Sequence, residues 1–262
     1  GSRGLGDVYK RQICISLYIR FRGEVMEKYN LIANDVRKKI LEGVYQPNEQ
    51  LPFEKDFCRT YKVSKMTVKK ALDILVTEGL IYKRRGAGTF VMDLSVEKMK
   101  KMLMDIQMMG TTAFYPDKKI TSRVIDFTVV KADAKIAEKL KIKETSFVYK
   151  IHRVRLVDDK PTVIEETYMP IDLITSLKIE HVENSIYDYI ENDLGLKIQS
   201  GHRTITVRRT TDEEANYLSL EKGDPVAVAV QTGYLTNGAA FEYSISTHRY
   251  DEFSLEIVLT HR

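Results

Sequence analysis

The sequence predicts an α+β protein of two domains, in which a small helical domain precedes a larger domain built on a mostly antiparallel sheet. Three observations predict this fold class. Between residues 29 and 79, apolar residues recur at the spacing of three and four that amphipathic helices show. Beyond residue 120, apolar runs of strand length alternate with turn sequences such as Asn237-Gly238. The 262 residues are also enough for two domains of ordinary size.

The composition indicates a globular protein without a membrane segment. Hydrophobic residues make up 43% of the chain and charged residues 30%, and no run approaches the roughly 20 apolar residues that cross a bilayer. The net charge of +4 is too small to indicate nucleic-acid binding by itself. Two separate cysteines, Cys14 and Cys58, and five scattered histidines form no disulfide framework or metal-ligand spacing. We therefore expect a cytoplasmic protein without metal or cofactor.

The first 25 residues do not fit either domain. An apolar run, Ile13–Ile19, follows two basic residues, but no small-residue cleavage site comes after it. We interpret residues 1–25 as a disordered leader or a mis-called upstream segment, and a signal peptide is the alternative. Met26 then begins the first domain, which we place at residues 26–91.

Two helices are predicted at the start of the first domain. Residues 29–41 place Tyr29, Ile32, Val36 and Ile40 on one helical face. The helix ends before Gly43, because a glycine after the last turn and a following proline both stop a helix. A second helix is predicted over residues 52–61.

The third predicted helix has a buried face and a basic face, and a hairpin follows it. Ser64 is a suitable N-cap, and Gly79 provides the residue after the last turn. Lys65 and Lys69 are one turn apart, on a face away from the apolar positions. Residues 80–83 and 89–91 are predicted as two short strands around the basic, glycine-rich tip 84–88. Residues 68, 71, 72 and 75 form the apolar face.

This arrangement suits double-stranded DNA. A helix with a cationic face fits the major groove, where lysine, serine and threonine reach phosphates and base edges. Arginines on a narrow tip fit the minor groove, where the negative potential is strong. On charge alone, a solvated surface helix with a surface hairpin is an equal alternative.

The motifs of this region resemble the winged helix-turn-helix domain of the GntR family of bacterial transcription regulators. They are Gly43-Val44-Tyr45, Leu51-Pro52-Phe53-Glu54, the run 63–69 (VSKMTVK), Glu78-Gly79-Leu80-Ile81 and the run 86–91 (GAGTFV). The resemblance implies that DNA is contacted by Glu54, Ser64, Lys65, Thr67, Lys69, Arg84, Arg85, Gly86, Gly88 and Thr89.

Two departures from the family pattern lie in this region. Phe53 stands where the family has a serine, so a helix cap and a phosphate contact are lost there. Lys65 and Lys69 stand where the family has arginines, and lysine lacks the planar fork that matches guanine. We therefore expect more phosphate contacts or an operator less dependent on guanine.

The remaining chain predicts a linker at residues 92–97 and a second domain at 98–262. A methionine-rich helix at residues 98–109, with Met99, Met102 and Leu103 among its apolar positions, is interpreted as core rather than as a cofactor site. The rest shows the same layout twice, in which a helix, a strand, a tight turn and a partner strand follow one another. The helices are 134–140 and 213–220, and the strands are 120–130, 147–157, 161–169, 226–235 and 240–250.

A second resemblance covers about residues 95–262. Residues 153–170, 185–198 and 241–253 are similar to the effector-sensing UTRA domain of the HutC-type branch of the family. The resemblance implies a chorismate-lyase-like fold. The last of these runs, FEYSISTHRYDEF, is most similar to regulators of sugar uptake such as the trehalose repressors.

Two arginines are the candidate centre of a ligand site. Arg153 and Arg155 are two residues apart on a strand, so they share one face. Burying them requires an anion or a carboxylate partner, and Glu165 on the paired strand could be that partner. An internal salt bridge and a site for an anionic ligand are therefore both open.

The family resemblance favours the ligand site. It implies that Arg153, Arg155 and Ser185 hold a phosphate and that Glu165, Glu242 and His248 face a sugar. Ser246 shares the strand face of Glu242 and His248 and joins the candidate set. One departure is that the hydroxyl expected at the start of the first helix of this domain is matched by Leu103.

We expect an allosteric repressor that binds operator DNA as a homodimer and responds to a small anionic metabolite, most readily a phosphorylated sugar. A regulator that senses a non-phosphorylated carboxylate or an amino-acid catabolite is the alternative. A chorismate-lyase-like enzyme is a remote one, because the sequence lacks a nucleophile–base set and a shared fold does not transfer function. A constitutive regulator whose second domain only dimerises is the third alternative.

Overall fold

A computed structural model describes residues 27–105, 108–115 and 117–259. The predicted leader at residues 1–25 lies outside the described residues. The described chain forms two compact units. The first contains the residues up to Asp105 together with those from Glu256 onward, and the second contains the residues between them, up to Leu255.

The first unit has the predicted three helices and hairpin. Buried side chains from all three helices pack into a single hydrophobic core, among them Ile32, Phe57 and Leu72. The two strands of the hairpin pair in antiparallel register from Ile81 opposite Val91 to Arg84 opposite Gly88. The elements are α1 Lys28–Leu41, α2 Glu54–Tyr61, α3 Lys65–Thr77, β1 Ile81–Arg84, β2 Gly88–Val91 and α4 Val96–Asp105.

Helix α3 begins and ends where its sequence predicts. The backbone N–H of Thr67 donates to Ser64 Oγ at 3.3 Å, which satisfies a donor of the first turn. At the other end, Gly79 has a φ of +74° and Leu80 N–H donates to the Leu75 carbonyl at 3.0 Å. This is the glycine-terminated helix end in which the chain folds back on its last turn.

Helix α4 belongs to the first unit. The second domain was predicted to begin at residue 98, which would have placed this helix in the second domain. Met99, Met102 and Leu103 are buried in the core of the first unit. The methionine stripe is therefore core, but of the other unit. The chain beyond residue 255 also packs there, because Glu256 N–H donates to Asp105 Oδ2 at 2.8 Å and Val258 contacts the same core.

The second unit is built on a six-stranded antiparallel sheet with the order β3-β4-β5-β8-β7-β6. Strands β5 and β8 meet at its centre, and each half of the sheet consists of a strand, a helix and a hairpin in that order along the chain. The repeated layout read from the sequence is therefore present. The elements are α5 Thr111–Phe114, β3 Ile120–Lys131, α6 Ala134–Leu140, β4 Phe147–Val157, β5 Lys160–Pro170, α7 Ile179–Glu183, α8 Ile186–Asp188, a π-helical turn Tyr189–Asp193, β6 Ile198–Arg209, α9 Asp212–Leu218, β7 Pro225–Leu235 and β8 Ala240–Arg249.

The two faces of this sheet have separate cores. One face, with Ile151 and Met169, packs against Val182, Ile186 and Ile190 of α7, α8 and the π-helical turn. The opposite face packs against α6 and α9, through buried residues such as Leu140 and Leu218. Successive side chains of a strand point to opposite faces, so the alternation of the sequence assigns each residue to one core.

Three features of the second unit were missed or misjudged. Strand β6 and the helices between residues 179 and 193 were not predicted from the sequence. The Asn237-Gly238 pair predicts a two-residue turn, whereas β7 ends at Leu235 and β8 begins at Ala240. Of the two turn residues only Gly238 has a positive φ, so the connection is wider than the type I′ turn that Asn-Gly favours.

Candidate functional site

The first candidate surface lies on α3. Lys65 and Lys69 are both exposed on it, away from the buried side chains of Val68 and Leu72. Lys65 Nζ lies 3.7 Å from Glu54 Oε2 at the start of α2. The Ser64 and Thr67 hydroxyls are 2.9 Å apart, so both are engaged at the helix start. The α3 side chains expected to face DNA thus lie on the outer side of the helix.

The hairpin tip is exposed and held in place by backbone geometry. Gly86 and Gly88 have φ values of +76° and +126°, a region that residues with a side chain rarely adopt. Gln50 Nε2 donates to the Ala87 carbonyl at 2.7 Å, and a Cβ added at Gly88 would lie 2.6 Å from that nitrogen. The tip arginines Arg84 and Arg85 are exposed.

An open groove of about 780 Å³ joins these features. Its walls are the start of α2, the start of α3 and the hairpin tip. Phe53, which is 52% exposed, also lines it. The predicted DNA-contact residues that line the groove are Glu54, Lys65, Arg84, Arg85, Gly86, Gly88 and Thr89. Ser64, Thr67 and Lys69 lie outside it, on α3.

The second candidate site lies on one face of the sheet in the second unit. Strand register places Arg153 opposite Glu165 and Glu165 opposite Ser246. In the next row, Arg155 is opposite Val163 and Val163 is opposite His248. Directly opposed residues share a face, so five of the predicted effector residues lie in two adjacent rows of three strands.

Arg153 is paired with the one carboxylate in its row. Its Nε and Nη2 both lie 2.8 Å from Glu165 Oε2, and its Nη1 donates to the Val182 carbonyl. Burial opposes the ionisation of Glu165, but the charges of Arg153 and Arg155 and the hydrogen bonds outweigh it. The pKa of Glu165 is therefore held below its ordinary value. This much of the site is the internal salt bridge that the sequence left open.

Arg155 has neutral partners instead. It is 2% exposed, and it donates to Ser122 Oγ at 2.5 Å, Asn184 O at 2.7 Å and Thr112 Oγ1 at 2.5 Å. Among the described residues, no carboxylate lies within salt-bridge distance of its guanidinium, and its Nε is buried without a hydrogen-bond partner. Burial and the neighbouring Arg153 lower the pKa of Arg155 to about 10.

Two threonines that the sequence analysis did not name complete the arginine cluster. The Thr111 hydroxyl donates to Glu165 Oε1, and the Thr112 hydroxyl accepts from Arg155. Both lie at the start of α5, in the second unit. Leu103, the residue matched to the hydroxyl expected from the resemblance, takes no part in this cluster, because it lies in the core of the first unit.

Ser185 lies next to the cluster but has another role in this structure. Its Oγ accepts from Asp188 N–H at 3.2 Å and caps α8. The preceding residue makes the contact instead, because the Asn184 carbonyl accepts from Arg155, and from Arg153 at 3.4 Å. The Ser185 hydroxyl still has its own proton to donate.

A second polar group lies farther along the same sheet face. Tyr187 donates to Glu242 Oε2, Gln231 Nε2 lies 3.5 Å from the Tyr187 oxygen, and Arg203 Nε donates to Gln231 Oε1 at 2.8 Å. Burial raises the pKa of Glu242 above its ordinary value despite hydroxyl donors at Ser244 and Tyr187. Burial and the nearby Glu242 also raise the pKa of Tyr187. This group can therefore exchange hydrogen bonds with uncharged hydroxyls.

The two polar groups lie at opposite ends of the site. Ser246, in the row of Arg153, is four residues from Glu242 on β8, which corresponds to about 13 Å along a strand. His248 lies at the arginine end and contacts the ring of Phe253. Burial lowers the pKa of His248 to about 4, so its imidazole is neutral at neutral pH.

Within the part of the chain that the structure describes, no helix is both long and apolar enough to cross a membrane. The same residues contain no group of three or more histidine, cysteine or carboxylate side chains placed to hold a metal ion.

A basic helix with a hairpin wing in one unit and a polar, buried sheet face in the other define a two-domain regulator of the DNA-binding, ligand-sensing class. Comparisons with known proteins agree. Residues 28–91 match the model of the bacterial regulatory proteins of the gntR family, and residues 117–254 match the UTRA domain.

Relatives match along nearly the whole chain. The HTH-type transcriptional regulator GmuR of Bacillus subtilis is 37% identical over 228 residues, which cover 87% of this chain and 96% of GmuR. The mannosyl-D-glycerate transport/metabolism system repressor MngR of Escherichia coli is 30% identical, over 88% of this chain and 95% of MngR. The crystal structure of the possible regulator YydK of B. subtilis superposes with a TM-score of 0.69 at 31% identity, covering 90% of this chain and all of that one.

The chain belongs to the GntR family and carries a UTRA domain as its second unit. It is a DNA-binding transcription regulator, and the predicted fold class and HutC-type, sugar-related branch are confirmed. The family consists of transcription regulators, so the enzyme alternative is excluded.

Proposed function

We propose that the protein is a homodimeric repressor whose affinity for its operator falls when a small anionic metabolite, most readily a phosphorylated sugar, binds the second unit. The observation that carries the proposal is the buried guanidinium of Arg155, which has hydroxyl and carbonyl partners but no carboxylate within salt-bridge distance among the described residues.

The charges of the cluster support an anionic ligand. Arg153 is neutralised by Glu165. Glu242, the other carboxylate on this face, has a raised pKa and lies at the far end of the site. One positive charge therefore remains at Arg155, in a place where desolvation is costly. A phosphate or carboxylate would accept a charge-assisted hydrogen bond from the Arg155 Nε–H and a further hydrogen bond from the Thr112 hydroxyl, whose proton is not used in its contact with Arg155.

The far end of the site supports a ligand with hydroxyl groups. The buried residues Gln231, Ser244 and Glu242, together with the half-buried Tyr187, offer both donors and acceptors. Mannosyl-D-glycerate, after which the relative MngR is named, combines sugar hydroxyls with an anionic group. A non-phosphorylated carboxylate or an amino-acid catabolite satisfies the arginine end equally well, and it remains the second candidate.

The proposed homodimer and the proposed cellular location both rest on the DNA-binding role of the protein. A two-fold dimer matches a pseudo-palindromic operator, because each half-site then receives one helix α3. A regulator of transcription acts where the DNA is, so we place the protein in the cytoplasm.

A thermal-shift screen tests the ligand class. A ligand present at 100 times its Kd stabilises the protein by about 2.7 kcal/mol. For a unit of this size, that corresponds to a rise in Tm of about 5–10 °C. The screen compares phosphorylated sugars, the same sugars without phosphate, sugar acids and amino acids. We expect shifts only from anionic members, and the phosphosugars to give the largest.

Two variants assign the shift to the site. Arg155→Met removes the uncompensated charge and should lose the shift while keeping operator affinity. Arg123→Met removes an exposed arginine of the neighbouring strand β3 and should keep both. A shift that survives Arg155→Met would contradict the proposal, as would a screen in which only neutral sugars stabilise the protein.

A further inference from the structure

Met66 is the most exposed large apolar side chain of α3, with 73% of its surface accessible. It is the second residue of the helix, two residues after the Ser64 N-cap. At 100° per residue, it lies about 170° around the helix axis from the mean direction of the four buried residues. Met66 therefore points directly away from the core, at the N-terminal end of α3.

The cations nearest to Met66 are partly engaged within their own unit. Lys70 Nζ lies 3.6 Å from the ring centroid of Tyr29 and 3.8 Å from Glu27 Oε2. Lys65 Nζ faces Glu54. Lys69 flanks Met66 on the next turn and is exposed. The centre of the outward face in the first turn is therefore apolar, with a positive charge on either side.

The chemistry of the major groove offers one apolar partner at the base edges. In helix-turn-helix proteins, the first residues of the recognition helix approach the base edges. A thioether neither donates strongly nor accepts strongly, so it gains little beside the polar edges of guanine, adenine or cytosine. The thymine C5-methyl group is the apolar feature of that groove.

We propose that Met66 is a specificity-determining residue that packs against the C5-methyl group of a thymine in each half-site. The inference rests on the DNA-binding role of the family and goes beyond it by naming a base and the side chain that selects it. The flanking lysines supply attraction to phosphates, which is the same for every sequence. Met66 would then supply selectivity where the arginines of the family pattern are absent.

The experiment combines two changes, the loss of a thymine C5-methyl group from the DNA and the loss of the Met66 side chain from the protein. A randomised duplex library, selected with the full chain, first gives the operator. Each thymine of a half-site is then replaced in turn by deoxyuridine, and Kd is measured by fluorescence anisotropy for the wild-type protein and for Met66→Ala. Burial of one methyl group corresponds to about a fourfold change in Kd.

We expect one thymine per half-site at which replacement by deoxyuridine raises the Kd of the wild-type protein about fourfold. The same replacement should leave the Kd of Met66→Ala unchanged. Met66→Gln, which keeps the length of the side chain, should show the same insensitivity and should melt at the wild-type temperature. Lys69→Ala is the matched control from the same face. It should weaken binding but keep the fourfold response to the methyl group.

Equal sensitivity to deoxyuridine in the wild-type protein and in both Met66 variants would overturn the inference, as would an operator without thymine at the positions that α3 reaches. A library that yields no consensus would overturn both this inference and the operator binding on which it rests. A consensus whose thymines do not respond to Met66 would overturn the inference alone.

Discussion

Replacing Glu165 by glutamine removes the carboxylate that, among the described residues, pairs with the arginine cluster. The wild-type structure holds two guanidinium groups two residues apart on β4, at Arg153 and Arg155, and Glu165 neutralises one of them. In Glu165→Gln, both positive charges would face each other without compensation, at side chains that are 7% and 2% exposed. Removing one partner of a buried pair costs about 3–5 kcal/mol. We therefore expect Tm to fall by about 6–20 °C.

The stabilisation that Glu165 provides should depend on pH. The pKa of Glu165 is lowered in the folded state, so its stabilising effect is present above the unfolded-state pKa, about 4.3, and is lost as pH falls through the folded-state pKa. The difference in Tm between the wild-type protein and Glu165→Gln should therefore be full at pH 7 and shrink below about pH 4.3. Added phosphate should restore part of the lost stability, since an anion replaces the missing charge.

Differential scanning fluorimetry across pH measures both effects. The matched control is Glu166→Gln, the next residue on β5, which faces the other side of the sheet and accepts from the Tyr168 hydroxyl at 2.8 Å. Glutamine keeps an acceptor there, so this variant should remain within about 1 kcal/mol of the wild-type protein. If Glu165→Gln proves as stable as Glu166→Gln at pH 7, the cluster is not the charged, desolvated site described above.

Three further predictions concern the first unit. Arg85→Ala should lower operator affinity and reduce the slope of log K against log salt by about one per subunit, as measured by anisotropy, and an unchanged slope would remove Arg85 from the phosphate contacts. Lys69→Arg should sharpen the preference for guanine by about 1–3 kcal/mol in a randomised-site selection, and an unaltered profile would mean that this position does not reach a base edge. Gly79→Ala should destabilise the unit by more than Gly86→Ala in chemical denaturation. Both glycines have a φ near +75°, but only a Cβ at Gly79 meets a neighbour, at 2.6 Å from Val258. Equal losses would show that the tail does not pack at that glycine.

The elements with a clear apolar pattern were predictable from the sequence. The apolar positions of α1 and α3 indicate one buried helix face, and the apolar runs of β4, β7 and β8 are typical of strands inside a sheet that is covered on both faces. The caps were equally readable, because Ser64 and Gly79 each perform a local backbone task that few other residues can perform.

Strand β6 was not predictable in this way. It is an edge strand, and most of its twelve residues are exposed on both faces. A strand without a covered face has little reason to alternate apolar and polar residues, and within Ile198–Arg209 only the short run 204–208 (TITVR) does so. The repeated layout could have revealed it, because β3 occupies the corresponding position in the first half of the sheet.

The effector candidates were partly predictable for the same kind of reason. Arg153 and Arg155 share a strand face by spacing alone, and the register of the hairpin brings Glu165 to the same face. Thr111 and Thr112 reach them only through the tertiary fold. The misassignment of α4 to the second domain displaced the expected hydroxyl to Leu103, since an amphipathic helix shows that it has a core face but not which core it joins.

The most direct test of the central claim is the Kd for operator DNA, measured with and without a saturating phosphosugar identified by the thermal-shift screen. Allosteric coupling of about 1–3 kcal/mol changes affinity by about 5- to 150-fold. We expect the phosphosugar to raise the Kd of the wild-type protein within that range and to leave the Kd of Arg155→Met unchanged. An operator affinity that is the same with and without the bound phosphosugar would contradict the account, because the second unit would then bind a ligand without controlling the DNA-binding one.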